Sequence, residues 1–194
     1  IAEPSGKRVL VVGAGPSGLS AAYHLTRLGH QVEIRDAGPV AGGMMHFGIP
    51  AYRLPRADLD ADIRRIEEMG VRIVLNHKVE DLLAEKEQGN FDAAFVAVGA
   101  HLSKRIDIPA RDAGKMLDAV SFLHEVETGV APKLGRRVAI YGGGNTAMDA
   151  ARVAKRLGAD EALIIYRRDR EHMPAHDFEA DEAIAEGVKI HWLR

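Results

Sequence analysis

The chain has 194 residues, 46% hydrophobic and 28% charged, a balance that suits a packed fold and excludes disorder. Its formal net charge of −2 gives no global pull toward nucleic acid or an anionic membrane, so any phosphate recognition has to be local. With no cysteine, these residues can form neither disulfides nor thiolate iron–sulfur sites, and no apolar run approaches the roughly 20 residues that span a bilayer.

Arg8–Val12 is a β-branched run that ends at a glycine loop, residues 16–28 carry a helical pattern closed by Gly29, and Gln31–Arg35 reads as a second strand. This β-loop-α-β unit is the smallest nucleotide-binding element. Residues 37–50 hold too much glycine and proline for regular structure. Asp58 is expected to cap a helix whose Leu59, Ile63 and Ile66 share one face, and 71–75 and 93–98 read as buried strands. The pattern lapses at 107–114, which predicts a boundary between one domain at 1–110 and another at 111–194. Beyond it the cycle restarts with a helix at 120–127, a strand at Arg137–Tyr141, a helix at 145–157 and a strand at 162–166. The alternation predicts an α/β fold of two Rossmann-like, doubly wound nucleotide-binding domains in tandem, and the lack of a spanning or secretory apolar segment predicts a soluble, cytoplasmic protein.

In Gly13-Ala14-Gly15-Pro16-Ser17-Gly18 each glycine has a steric role: Gly13 for a tight turn, Gly15 for backbone approach to a pyrophosphate, Gly18 for closure of helix on sheet. Pro16 suits a first helical turn, whose free N–H groups face an anion. Asp36 ends the following strand, where a carboxylate accepts ribose hydroxyls and repels a 2′-phosphate, so this site suits FAD or NAD. The second loop, Gly142-Gly143-Gly144-Asn145-Thr146-Ala147, repeats the spacing, and Ala147, Ala151 and Ala154 form a small-residue stripe for tight packing. Its strand ends instead in Arg167 and Arg168, whose planar, permanently charged forks suit the 2′-phosphate of NADP; the other reading is a solvated charged turn.

These residues resemble the flavin-bearing small subunit of bacterial glutamate synthase and its relatives, among them NADH-dependent ferredoxin:NADP oxidoreductase and the N-terminal half of dihydropyrimidine dehydrogenase. The likeness rests on the two loops, on Gly42-Gly43-Met44, on the run from Phe47 to Pro55, and on the run from Tyr166 to Pro174. It implies a flavoprotein disulfide-reductase-like architecture present as a fragment, since relatives add an N-terminal iron–sulfur domain and a later return of the chain into the FAD domain. It further implies FAD at Gly13 to Gly18, Asp36, Gly42, Gly43, Met44 and Arg53, with Val79 on an adenine-side strand and Gly99 at a strand-end turn. NADPH is implied at Gly142, Gly143, Gly144, Asn145 and Thr146, with its 2′-phosphate near Arg167 and Arg168 and NADH as the alternative. A further family arginine has no counterpart near Met173 and Pro174.

The expected activity is hydride transfer from NADPH to FAD and onward to an iron–sulfur domain or partner subunit, with no acid–base residue required and Phe47, Ile49 and Tyr52 packing around the flavin. His172 and His176 have an i,i+4 spacing, but Pro174 between them argues for a loop and not a metal site. The acidic run 179–186 reads as a solvated helix face. The competing expectations are a non-catalytic dinucleotide-binding regulatory module and an NAD-dependent dehydrogenase without flavin.

Overall fold

In the computed structural model, which describes residues 1–100 and 114–193, strand β1 (Arg8–Val12) lies at the centre of the first sheet. It pairs in parallel with β2 (Gln31–Arg35) on one side and β4 (Ala93–Val96) on the other, and β3 (Arg72–Val74) extends the sheet beyond β2. The order β3-β2-β1-β4 means that the chain winds outward from β1 and then crosses back over it. That reversal opens a crevice at the C-terminal ends of β1 and β4, where doubly wound sheets bind their ligands.

The strand pleat sends alternate β1 residues to opposite faces. Val11, with Val32 and Ile34 of β2, packs under Leu19 and Ala22 of α1 (Pro16–Arg27) and Leu59 and Ile63 of α3 (Arg56–Glu68). Leu10 and Val12 face the other way, onto Phe91, Val79 and Leu82, the last opening α4 (Leu82–Gln88). Leu10, Val11 and Ile34 are fully buried, each contributing about 1.5–3 kcal/mol of transfer free energy. Gly18 lets α1 close on the sheet: a Cβ there would stand 1.8 Å from the Gly13 carbonyl oxygen.

Several expectations need correction. Helix α3 begins at Arg56 after Pro55, so Asp58 lies inside its first turn and complements the helix dipole without capping it. The glycine-rich 37–50 stretch contains a short helix, α2 (Met44–Phe47). The strand expected at 93–98 stops at Val96, and Phe95, Val96 and Val98 are exposed because β4 is an edge strand, paired only to β1 among the described residues. Helix α4 was not anticipated, although Asp81 caps it by accepting from the Leu83 and Ala84 N–H groups at 3.0 Å each.

The chain divides into two units, Ile1–His101 and Leu102–Arg194; the expected boundary at 110/111 lies outside the described residues. In the second unit β5 (Arg137–Tyr141), β6 (Glu161–Tyr166) and β7 (Lys189–Trp192) form a parallel sheet in that order. Helices α6 (Asn145–Arg156) and α7 (Asp177–Ala185) cover one face, burying Met148, Ala151, Ile164, Tyr166, Ala180 and Ala183, while α5 (Ala119–Glu127) packs on α6. Ala147, Ala151 and Ala154 are all buried, as their spacing predicts.

Glu179, expected on a solvated face, is instead fully buried beside Arg152, which is itself only 5% exposed. Arg152 Nη1 lies 3.9 Å from Glu179 Oε2 and donates to Glu182 Oε2 at 2.6 Å, and its Nη2 donates to Glu186 Oε1 at 2.6 Å. A guanidinium that leaves water requires such company, and the cluster ties α6 to α7.

Two outcomes are expected from this packing. Gly18→Ala forces α1 off the sheet and lowers stability by about 1–3 kcal/mol, measured by denaturant unfolding of the full-length protein. The Arg156 and Arg152 guanidiniums hold the Glu186 carboxyl at about 2, below its ordinary 4.5. Because the folded-state value is depressed, this stabilisation is complete above the ordinary value and fades as pH falls toward 2. Glu186→Gln should therefore cost about 1–3 kcal/mol at pH 7 and flatten the loss of stability between pH 5 and pH 2.

Candidate functional site

The first glycine loop joins β1 to α1 and sits directly against the end of β4. Gly13 adopts φ 107°, and a Cβ on it would come within 2.3 Å of the Ala97 carbonyl oxygen, so neither the turn nor the approach tolerates a side chain. Gly15 caps α1 and has no heavy atom within 4 Å of where its Cβ would stand, while Pro16 and Ser17 are exposed in the first turn. Gly15 and the helix end thus present free backbone N–H groups to an open space. Gly99, at φ 70°, follows the end of β4.

Asp36 turns back onto this loop. Its Oδ2 accepts from the Ala14 N–H at 2.6 Å and its Oδ1 from the Gly38 N–H at 2.7 Å, which fixes the carboxylate beside the glycine turn. Carboxylate oxygens each retain acceptor capacity, so ribose hydroxyls can share them.

The segment at Gly42 to Arg53 folds over the same loop. Gly42 donates to the Ala14 carbonyl at 2.8 Å, and the Cβ position of Gly43, at φ 52°, lies 2.8 Å from Gly15 Cα. Met44 opens α2, and Arg53 is half-buried in the turn that its N–H closes onto the Pro50 carbonyl. Sequence reasoning missed Arg56. Its Nη1 donates to the carbonyls of Leu54 at 3.0 Å and Met45 at 3.3 Å, and its Nη2 to Ile49 at 2.7 Å, so one side chain staples the loop. Val79 lies past the end of β3 and not on a strand, packed against the Leu10, Val12 and Phe91 cluster.

The second loop repeats the first with different neighbours. Gly142, at φ 146°, donates to the Ile165 carbonyl at 3.1 Å; Gly144 caps α6 with open space at its Cβ position, and Thr146 is exposed in the first turn. The Tyr166 ring lies flush against Gly143, where a Cβ would stand 2.5 Å from it. Asn145 is already engaged, its Oδ1 accepting from the His176 N–H at 3.1 Å. An open cleft of about 370 Å³ is lined by Tyr141, Gly142, Ile165, Tyr166 and Arg167.

Arg167 and Arg168 follow Tyr166 at the tip of β6, exposed, with no side-chain hydrogen bond or ion pair to the described residues. Of the charges beside them, Arg170 pairs with Asp181 at 2.6 Å and Asp169 with His172 at 2.6 Å, while Glu171 is exposed. The two leading guanidiniums are thus open to solvent, which fits both a phosphate fork and a solvated charged turn. His172 and His176 sit on the irregular segment before α7, outside any helix.

Residues 7–194 match the family described as pyridine nucleotide-disulphide oxidoreductase. Over 99% of its length the chain is 48% identical to the NADP(+)-dependent formate dehydrogenase subunit beta of Moorella thermoacetica, and over 97% it is 36% identical to the glutamate synthase [NADPH] small chain of Escherichia coli. It spans 28% and 42% of those two proteins, respectively. Mycobacterium tuberculosis FprA in complex with NADPH shares the fold, with a TM-score of 0.75 at 22% identity over 94% of this chain and 48% of that one. In sequence and in fold, this chain belongs to the pyridine nucleotide-disulphide oxidoreductase family.

Proposed function

We propose that this chain is the nucleotide-handling part of a flavin-dependent oxidoreductase that takes reducing equivalents from NADPH, holds FAD, and feeds an iron–sulfur domain or partner subunit. The observation that carries this reading is the opposite charge at two equivalent strand tips. Asp36 is held at its glycine loop by two backbone donors, whereas Arg167 and Arg168 stand unengaged beside theirs. The relatives named above support it, since one is a beta subunit and the other a small chain, and both names carry the phosphorylated nucleotide.

In this reading Gly13, Ala14, Gly15, Pro16, Ser17 and Gly18 seat the FAD pyrophosphate on the α1 N-terminus, and Asp36 takes the adenosine ribose. The open space at Gly15 fits such an anion. Gly42, Gly43 and Met44 wall the flavin side, Arg53 contributes a positive group there, Val79 lies toward the adenine, and Gly99 leaves room at the β4 end. Gly142, Gly143, Gly144, Asn145 and Thr146 seat the pyridine nucleotide, while Arg167 and Arg168 grip its 2′-phosphate. Bound together, the two cofactors supply hydride transfer from nicotinamide to flavin, and the chain's own residues bind, orient and exclude the wrong nucleotide.

Full-length protein should be yellow, with flavin absorption that bleaches anaerobically on addition of NADPH; a colourless full-length protein binding a single nucleotide would favour a regulatory module. Replacing both Arg167 and Arg168 by Ala should weaken NADPH binding about 10- to 100-fold while NADH changes little, as expected for two charge-assisted contacts. Equal weakening of both nucleotides would overturn the 2′-phosphate assignment.

A further inference from the structure

Residues Asp169 to His176 form a strap that leaves the tip of β6, passes over the second glycine loop and enters α7. It is fastened at several points. The Tyr166 hydroxyl donates to the His172 carbonyl at 2.8 Å, the Ala175 N–H to the Gly143 carbonyl at 3.0 Å, and the His176 N–H to Asn145 Oδ1 at 3.1 Å. Met173 and Ala175 are buried in the core beneath the sheet-facing side of α6 and α7, and Arg170 is tied to Asp181 of α7 at 2.6 Å. The His172 N–H donates to Asp169 Oδ1 at 3.0 Å, which closes the first turn of the strap.

Tyr166 is the common element. Its ring fills the place a Cβ on Gly143 would take, its edge meets Trp192 with centroids 6.4 Å apart, and its hydroxyl pins the strap. Arg167 and Arg168 therefore occupy the short span between a buried aromatic anchor and a pinned turn, with the Arg168 carbonyl also accepting from the Leu193 N–H at 3.2 Å. In an untethered turn the backbone that carries the two arginines would sample many positions, and fixing it for a phosphate would cost its ordering entropy at each binding event, on top of that of the side chains.

We infer that the strap is a cofactor-selectivity clamp, in which Tyr166 and the Asn145 side chain are positioning residues that act through Arg167 and Arg168. This rests on the NADPH reading above and extends it. It also assigns the Asn145 side-chain oxygen to the strap, leaving its amide NH2 and backbone N–H for the nucleotide. Neither side chain has to touch the 2′-phosphate. Tyr166 keeps the backbone of the arginine tip in register with the glycine loop, so the pyrophosphate seat and the phosphate fork are set as one unit.

The test is a thermodynamic cycle on the full-length protein, with dissociation constants for NADPH and for NADH read by titration of nucleotide fluorescence. Tyr166→Phe removes one hydroxyl and keeps the ring. It should weaken NADPH about three- to tenfold, the net worth of one hydrogen bond, and NADH less than about twofold. Placed on the Arg167→Ala, Arg168→Ala background, the same change should add less than about a further twofold loss for NADPH, because the groups it positions are gone. Asn145→Ala provides a second variant should Tyr166→Phe fold poorly: NADPH should weaken more than NADH, and Asn145→Asp, which keeps the oxygen that accepts from the His176 N–H, should restore the strap. A neutral Tyr166→Phe beside a selective arginine variant would overturn the clamp and leave the NADPH reading intact, as would equal weakening of both nucleotides by Tyr166→Phe. An arginine variant without selectivity would overturn both.

Discussion

The structure depends on the close approach that missing side chains allow at the two glycine loops. At the first, a Cβ on Gly13 would stand 2.3 Å from the Ala97 carbonyl oxygen, and one on Gly18 1.8 Å from the Gly13 carbonyl oxygen. With no side chains between them, β1, the end of β4 and the first turn of α1 collapse into one surface. That close approach leaves the helix N-terminus free to face a ligand, and it places Asp36 within 2.6 Å of the Ala14 N–H.

The second loop achieves the same end by a different neighbour. There the aromatic ring of Tyr166 lies against Gly143, the position that Ala14 holds in the first loop, which makes the end of β6 part of the loop's own packing. The two units therefore share a plan and differ in chemistry. One strand tip carries a carboxylate locked by backbone donors; the other carries guanidiniums with no ionic partner among the described residues. A locked acid suits neutral hydroxyls, and unengaged arginines suit a dianion, since a phosphate does not have to compete with an existing carboxylate for them.

Ionic contacts away from the sites have another task. Arg152 draws Glu179, Glu182 and Glu186 around itself between α6 and α7, and removal of any one partner leaves a nearly buried charge less well compensated. The cluster secures α7, and α7 in turn holds Arg170, near the start of the segment that crosses the second glycine loop, through Asp181. Stability of the helix pair and order at the site are thus linked through a few side chains.

Glycine spacing, the acid at 36 and the arginines at 167 and 168 were legible in the sequence because each is a local requirement: a residue without a Cβ, or a charge at the end of a strand, sits at a fixed offset from its motif. Parallel α/β architecture followed from the same short-range periodicity. Tertiary structure alone decided what distant residues do to one another. That Arg56 staples the carbonyls of Met45, Ile49 and Leu54, that Asn145 holds His176, that Glu179 is buried, and that an apolar β4 forms a sheet edge all depend on segments brought together by folding. Period and propensity act over a few residues, whereas burial and partner choice are set by packing across the whole unit, and no local pattern encodes that.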